Sequence, residues 1–212
     1  MQSKILYRAL KLVEEIYDES MYGVDDLYRI KDIVHSVDKN HWESKKWLAD
    51  KLFFIMGGMS DSLAGKFYVV GGWYGMMAYQ LRQLWPWPAS WMNIISADCD
   101  PMCEEYAWKL FSGEHLQFIT IDVNDEPDFN GCTAIINTSC EHMEQEDLLS
   151  IIKKKPRDTW VAFQTNDFSN LHSHINCWPT AQLFADSLGL KYIALVDTLP
   201  MKDFNRFMVI GK

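Results

Sequence analysis

The chain of 212 residues has no CxxC pair, no apolar run near the ~18 residues that cross a bilayer, and no basic stripe to offset its formal charge of −9. Each shortage narrows the field. The five cysteines, Cys99, Cys103, Cys132, Cys140 and Cys177, are odd in number and spaced unlike a structural zinc site, so reduced thiols in a cytoplasmic protein are expected. No membrane segment is expected either. The first residues, Met1-Gln2-Ser3-Lys4, lead into an amphipathic pattern broken by Lys11, Glu14 and Glu15, unlike a secretion signal. Nucleic acid is disfavoured as a partner, because its phosphates need cations that this surface lacks. A small-molecule partner is favoured instead. The one strong basic cluster, Lys153-Lys154-Lys155-Pro156-Arg157, falls where a helix should end, and cations complement the helix dipole there. There is no internal repeat or low-complexity tract. With 48% hydrophobic and 23% charged residues, the chain can bury one substantial core.

What is present divides into two textures. Residues 1–60 are helical in pattern: Ile5, Leu6, Ala9, Leu10, Leu12, Val13 and Ile16 recur at helical spacing, as do Trp47, Leu48, Leu52 and Phe53. Ser44 suggests a helix start and Gly57-Gly58 a stop. Residues 61–212 alternate strands and helices. Strands are predicted at 67–71, 92–97, 116–121, 132–137, 159–164, 191–197 and 205–210, and helices at 75–85, 101–112, 143–154 and 179–188. Pro101 and Pro179 suit first helical turns, and Gly113 and Gly189 suit positions just past helix ends. The link from Asp197 to Asp203 is too short for a crossover helix, so the last two strands should form an antiparallel hairpin.

The chemistry-bearing residues cluster at predicted strand ends. Phe67-Tyr68-Val69-Val70 runs into Gly71-Gly72-Trp73-Tyr74-Gly75, and a helical run follows. Such a turn lets backbone approach a nucleoside-like ligand at a helix start, or it serves only close strand–helix packing. The second strand ends Ser96-Ala97-Asp98-Cys99-Asp100-Pro101, where a carboxylate could accept ribose hydroxyls or cap the next helix. The third ends at Asp122-Val123, within an acidic turn. The fourth ends Asn137-Thr138-Ser139-Cys140-Glu141-His142, a polar cluster that could hold a substrate and move a proton, or cap a helix. A long polar loop, Gln164 to Asn176, follows the fifth strand and suits substrate recognition. Glu141, Asn166, Asp167, His172 and His174 offer possible metal donors, but their spacing is not that of a metal motif and no metal is expected. Trp42 and Trp47 either pack or line a pocket, with Lys45 or Lys46 then reaching an acidic group. Trp85-Pro86-Trp87-Pro88 with Trp91 is expected as a rigid aromatic connector that packs or offers a protein contact surface.

Taken in order, these elements resemble the class I S-adenosylmethionine-dependent methyltransferases. The resemblance covers residues 66–212. It implies an α/β fold: a seven-stranded, mostly parallel Rossmann-like methyltransferase sheet with a C-terminal antiparallel hairpin and an N-terminal helical cap. It divides the chain into a cap, 1–60, and an S-adenosylmethionine-binding catalytic domain, 61–212. The glycine-rich first motif is degenerate, with Trp73 at its middle glycine and Val69 at its acidic position. By this resemblance Gly71, Gly72, Trp73, Tyr74, Gly75, Asp98, Cys99, Asp122, Val123, Asn137 and Thr138 contact the cofactor S-adenosyl-L-methionine. Asp98 would take the ribose and Asp122 the adenine. His142 would be a base, with Glu141 and Asn137 orienting a small-molecule oxygen or nitrogen acceptor. Two alternatives stand beside this: another reaction of the same cofactor, such as aminopropyl-type transfer or a lyase step, and a non-catalytic protein-binding module in which Trp73 blocks the site.

Overall fold

The computed structural model describes residues 2–19, 24–57, 65–84, 91–125 and 127–212. Three helices come first: α1 (Gln2–Glu19), α2 (Val24–Ser36) and α3 (Lys39–Ile55). Then follow β1 (Gly65–Val70), α4 (Met76–Leu84), β2 (Met92–Asp98), α5 (Pro101–Phe111), β3 (Gln117–Thr120), β4 (Cys132–Asn137), α6 (Gln145–Lys154), β5 (Trp160–Asn166), α7 (Ala181–Ser187), β6 (Ile193–Pro200) and β7 (Asn205–Gly211). Gly58, the Trp85–Pro88 connector, Glu126 and the 60/61 boundary lie outside the described residues. Among the described residues no helix is long and apolar enough to cross a membrane.

Local chemistry sets the element ends. The Asp100 carboxylate accepts from the Met102 N–H at 2.9 Å, Pro101 sits in the first turn, and Gly113 takes a left-handed φ of 79° just past α5. Two expected starts are corrected. Asp38, not Ser44, caps α3, accepting from the His41 N–H at 2.8 Å. Ser44 instead lies inside the helix, buried against β5. Thr180, not Pro179, marks the start of α7, because its hydroxyl accepts from the Leu183 N–H.

The sheet order is β3-β2-β1-β4-β5-β7-β6, parallel except for β7, which runs antiparallel to both of its neighbours. Thus β7 enters between β5 and β6, and the hairpin closes one side of the sheet. Register aligns the strand ends, with Val70 beside Ala97 and Asn137, and Asp98 beside Thr120. Helices cover both faces, and β1 divides its side chains accordingly. Phe67 and Val69 join a core with α1, α3, α4 and α5, whereas Tyr68 and Val70 join one with α6 and α7. In α1 the buried residues are Ile5, Ala9, Leu12 and Ile16, while Leu6 and Leu10 stay exposed. The helical cap therefore shares its core with one face of the sheet.

Candidate active site

A cavity of about 640 Å³ opens at the C-terminal ends of β1 to β4, with Asp32 of α2 and His41 and Lys45 of α3 on its cap side. Open parallel sheets place ligands at this edge. The β1–α4 turn forms one wall. Its glycines have different tasks. A Cβ on Gly72 would lie 2.0 Å from Ser96 Oγ, and one on Gly75 would lie 2.5 Å from a Phe118 ring carbon, so both permit close packing behind the site. Gly71 lines the cavity with φ at 59°, and a Cβ there would find only ordinary contacts. Left-handed backbone is what requires glycine at that position. Trp73 also holds a left-handed φ, 48°, an uncommon geometry for a bulky residue. Its N–H donates to Asp98 Oδ2 at 2.8 Å, and its ring lies 5.5 Å from the His41 ring. Trp73 lines the cavity, while Gly72, Tyr74 and Gly75 stand behind it.

The next two strand ends add carboxylates. Asp98 also accepts from the Asp100 N–H at 3.1 Å, so two backbone donors fix its carboxylate while each oxygen keeps a further lone pair. Cys99 beside it lines the cavity, its thiol pushed up by burial and by the Asp98 charge. Asp100 is occupied elsewhere, capping α5 and pairing with Arg29 of α2. Exposed Asp122 accepts from the Asn124 N–H at 2.8 Å, and Asp122 and Val123 both line the cavity.

The β4 end carries the densest chemistry. Thr138, Glu141 and His142 line the cavity, but Asn137 does not. Asn137 is fully buried; its Oδ1 accepts from the Ser139 N–H at 2.7 Å and its amide lies 2.8 Å from Met143 Sδ. Glu141 is 3% exposed and pairs through Oε1 with Arg206 of β7, whose Nη2 donates to the Thr138 carbonyl at 2.6 Å. Burial pulls the Glu141 carboxyl upward, but the Arg206 guanidinium outweighs it and holds the group below its ordinary range. His142 Nδ1 lies 2.9 Å from the Ser173 carbonyl, and its ring meets that of His174 edge-on at 4.7 Å. Cys140 is buried, its thiol pushed well above the usual value by burial, so it is no nucleophile.

Of the loop after β5, Ser173 and Ile175 reach the cavity. Asp167 is tied to Asn205, and Asn166 accepts from the Phe168 N–H, so neither faces it. Arg206, His41 and Asp32 escaped the sequence reading. Arg206 did leave a signal, a cation heading the apolar run Phe207-Met208-Val209-Ile210. Lys45 is 4% exposed on the cavity wall; burial, with Arg206 nearby, lowers its ammonium to about 7. Burial, with Lys45 next, also lowers the His41 imidazole and keeps it neutral.

No protein-family model and no curated sequence matches the chain. Solved structures do match it. The CurJ carbon methyltransferase is 11% identical with a TM-score of 0.61 over 79% of this chain and 53% of that one. The mitomycin 7-O-methyltransferase MmcR is 13% identical with a TM-score of 0.57 over 97% and 68%. A TehB-like SAM-dependent methyltransferase from Corynebacterium glutamicum ATCC 13032 is 11% identical with a TM-score of 0.53 over 80% and 86%. The chain thus spans about half the length of the CurJ carbon methyltransferase and most of the TehB-like protein. The fold is that of the class I S-adenosylmethionine-dependent methyltransferases.

Proposed function

We propose that the chain is an S-adenosylmethionine-dependent methyltransferase acting on an oxygen or nitrogen of a small molecule. The observation that carries this is the convergence of four strand ends on one cavity: Gly71 and Trp73, Asp98, Asp122, and Thr138 to His142. Its volume of about 640 Å³ falls in the range of small-ligand sites. Asp98 is built for a diol: its carboxylate is held by two backbone N–H groups and retains lone pairs for ribose hydroxyls. In this reading Asp122 and Val123 take the adenine, and Gly71, Trp73 and Thr138, which line the same cavity, take the methionyl end. The residues present fit the cofactor, whose sulfonium supplies an activated methyl group.

The chain's own task is alignment and proton removal. With its Nδ1 on a carbonyl, His142 keeps the Nε2 lone pair to take a proton from an acceptor. Glu141, fixed by Arg206, orients that acceptor. Asn137 acts one step back, shaping the loop that carries both. The neighbours named for carbon and 7-O methylation support alkyl transfer as the reaction class, and the cap residues over the cavity favour a small acceptor.

Titration calorimetry with S-adenosylhomocysteine checks the cofactor assignment. One molecule should bind per chain, and Asp98→Ala should weaken binding by about 1–3 kcal/mol, the scale for hydrogen bonds to a charged group. Equal affinity in the variant would remove the ribose from Asp98.

A further inference from the structure

Glu141, His142 and His174 each present a ligand atom within 4.8 Å of the other two; Glu141 and His142 line the cavity, and His174 stands beside them on the loop after β5. We propose that these three residues form a binding site for one divalent first-row transition ion such as zinc, cobalt or manganese. Three features carry this beyond mere proximity.

The first is tautomer. His142 Nδ1 faces the Ser173 carbonyl at 2.9 Å and His174 Nδ1 faces the Phe168 carbonyl at 2.7 Å. A carbonyl oxygen only accepts, so both protons sit on Nδ1 and both Nε2 atoms keep their lone pairs. Carbonyl-anchored imidazoles of this kind are the usual partners of a bound metal. No hydrogen bond reaches either Nε2 among the described residues.

The second is the unmatched half of Glu141. Its Oε1 is taken by Arg206, but its Oε2 is buried with no hydrogen-bond partner among the described residues. A buried acceptor left unpaired costs about 1–3 kcal/mol, and a cation would satisfy it.

The third is rigidity. The Ile175 and Asn176 N–H groups both donate to the Glu141 carbonyl, at 2.8 and 3.1 Å, so the loop bearing His174 is fastened to the turn bearing Glu141 and His142. Bonds of about 2.0–2.2 Å require donors roughly 3 Å apart, so the side chains must draw in by an ångström or so. Exposed His142 has the freedom to do this. The field favours a cation: Asp32, Asp98, Asp122, Glu141, Glu144 and Asp147 line the cavity against only Lys45 and Arg206.

Two imidazoles and one carboxylate on one side of an ion suit a transition metal better than magnesium or calcium, and leave positions open toward the cavity. Resting on the transferase reading, the open position would hold the acceptor hydroxyl and lower its pKa. His142 Nε2 would then be committed to the ion, and the proton lost by the coordinated hydroxyl would pass to solvent water in the cavity instead of to His142.

The test uses the full chain, stripped with chelator and titrated with Zn²⁺ and then Co²⁺. One equivalent should bind at micromolar concentration or below, with visible absorption from cobalt in a low-coordinate site. His142→Ala and His174→Ala should each weaken binding tenfold or more, while His172→Ala, an exposed loop histidine outside the trio, should not. Circular dichroism confirms that the variants fold, and both histidine variants avoid disturbing the Glu141–Arg206 pair. Binding that ignores His142 and His174, or none at all, overturns the site. S-adenosylhomocysteine affinity measured on His174→Ala separates the two claims, since the metal site can fail while cofactor binding persists, and the reverse.

Discussion

Lys45 lies on the buried stripe of α3 with Trp42, Leu48, Ala49 and Leu52, so its ammonium occupies a core-facing position. Burial first, then Arg206, lowers it to about 7. The sign follows from linkage. Below pH 7 the folded lysine is charged and the penalty is fully present; it shrinks as pH rises from about 7 toward the unfolded value near 10.4, where it vanishes. Lys45→Met should therefore stabilise the protein by about 1–3 kcal/mol at pH 6, with a smaller gain at pH 9.5. Denaturant melts at the two pH values measure this, and an equal gain at both would refute the burial argument. The helical period of α3 was readable from Trp47, Leu48, Leu52 and Phe53, but a lysine on the core stripe is the kind of residue periodicity alone discounts. Trp73 shows the opposite case. Its misfit to a glycine position was plain in the sequence, yet only its left-handed backbone and its N–H on Asp98 show how the misfit is accommodated.

At the scale of elements, α3 is latched to β5. Ser44 Oγ donates to Gln164 Oε1 at 3.2 Å, and Gln164 Nε2 donates back to the Ser44 carbonyl at 3.1 Å, all of it buried. The latch holds His41 and Lys45 over the cavity. Gln164→Ala should cost about 1–3 kcal/mol in stability and speed hydrogen exchange in α3 ahead of the sheet. Exchange that rises uniformly across the chain would show that no local latch exists. Ser44 resembled a helix start because serine favours that position, but Asp38 takes the cap six residues earlier and leaves Ser44 free for the strand. The β4 and β5 loops teach the same lesson. Each was visibly polar in sequence, but the meeting of His142 with His174 depends on two backbone bonds to the Glu141 carbonyl that no spacing reveals.

For the whole molecule, the order of strands and helices was legible because short apolar runs, Pro101 and Gly113 and the brief 197–203 link each have a local cause. The place of β7 between β5 and β6 was not, because a hairpin can add to a sheet from either strand and side-chain packing chooses. Nor was the way α1 and α3 share a core with Phe67 and Val69 on one face. The central claim is that one ligand lies across four strand ends. A crystal structure with S-adenosylhomocysteine tests it most directly. Ribose hydroxyls should lie on Asp98, adenine beside Asp122 and Val123, the amino-acid end along Gly71 and Trp73, and the sulfur facing Glu141 and His142. Crystals saturated with ligand that show the Trp73 ring filling this space, or the ligand bound elsewhere, would contradict it.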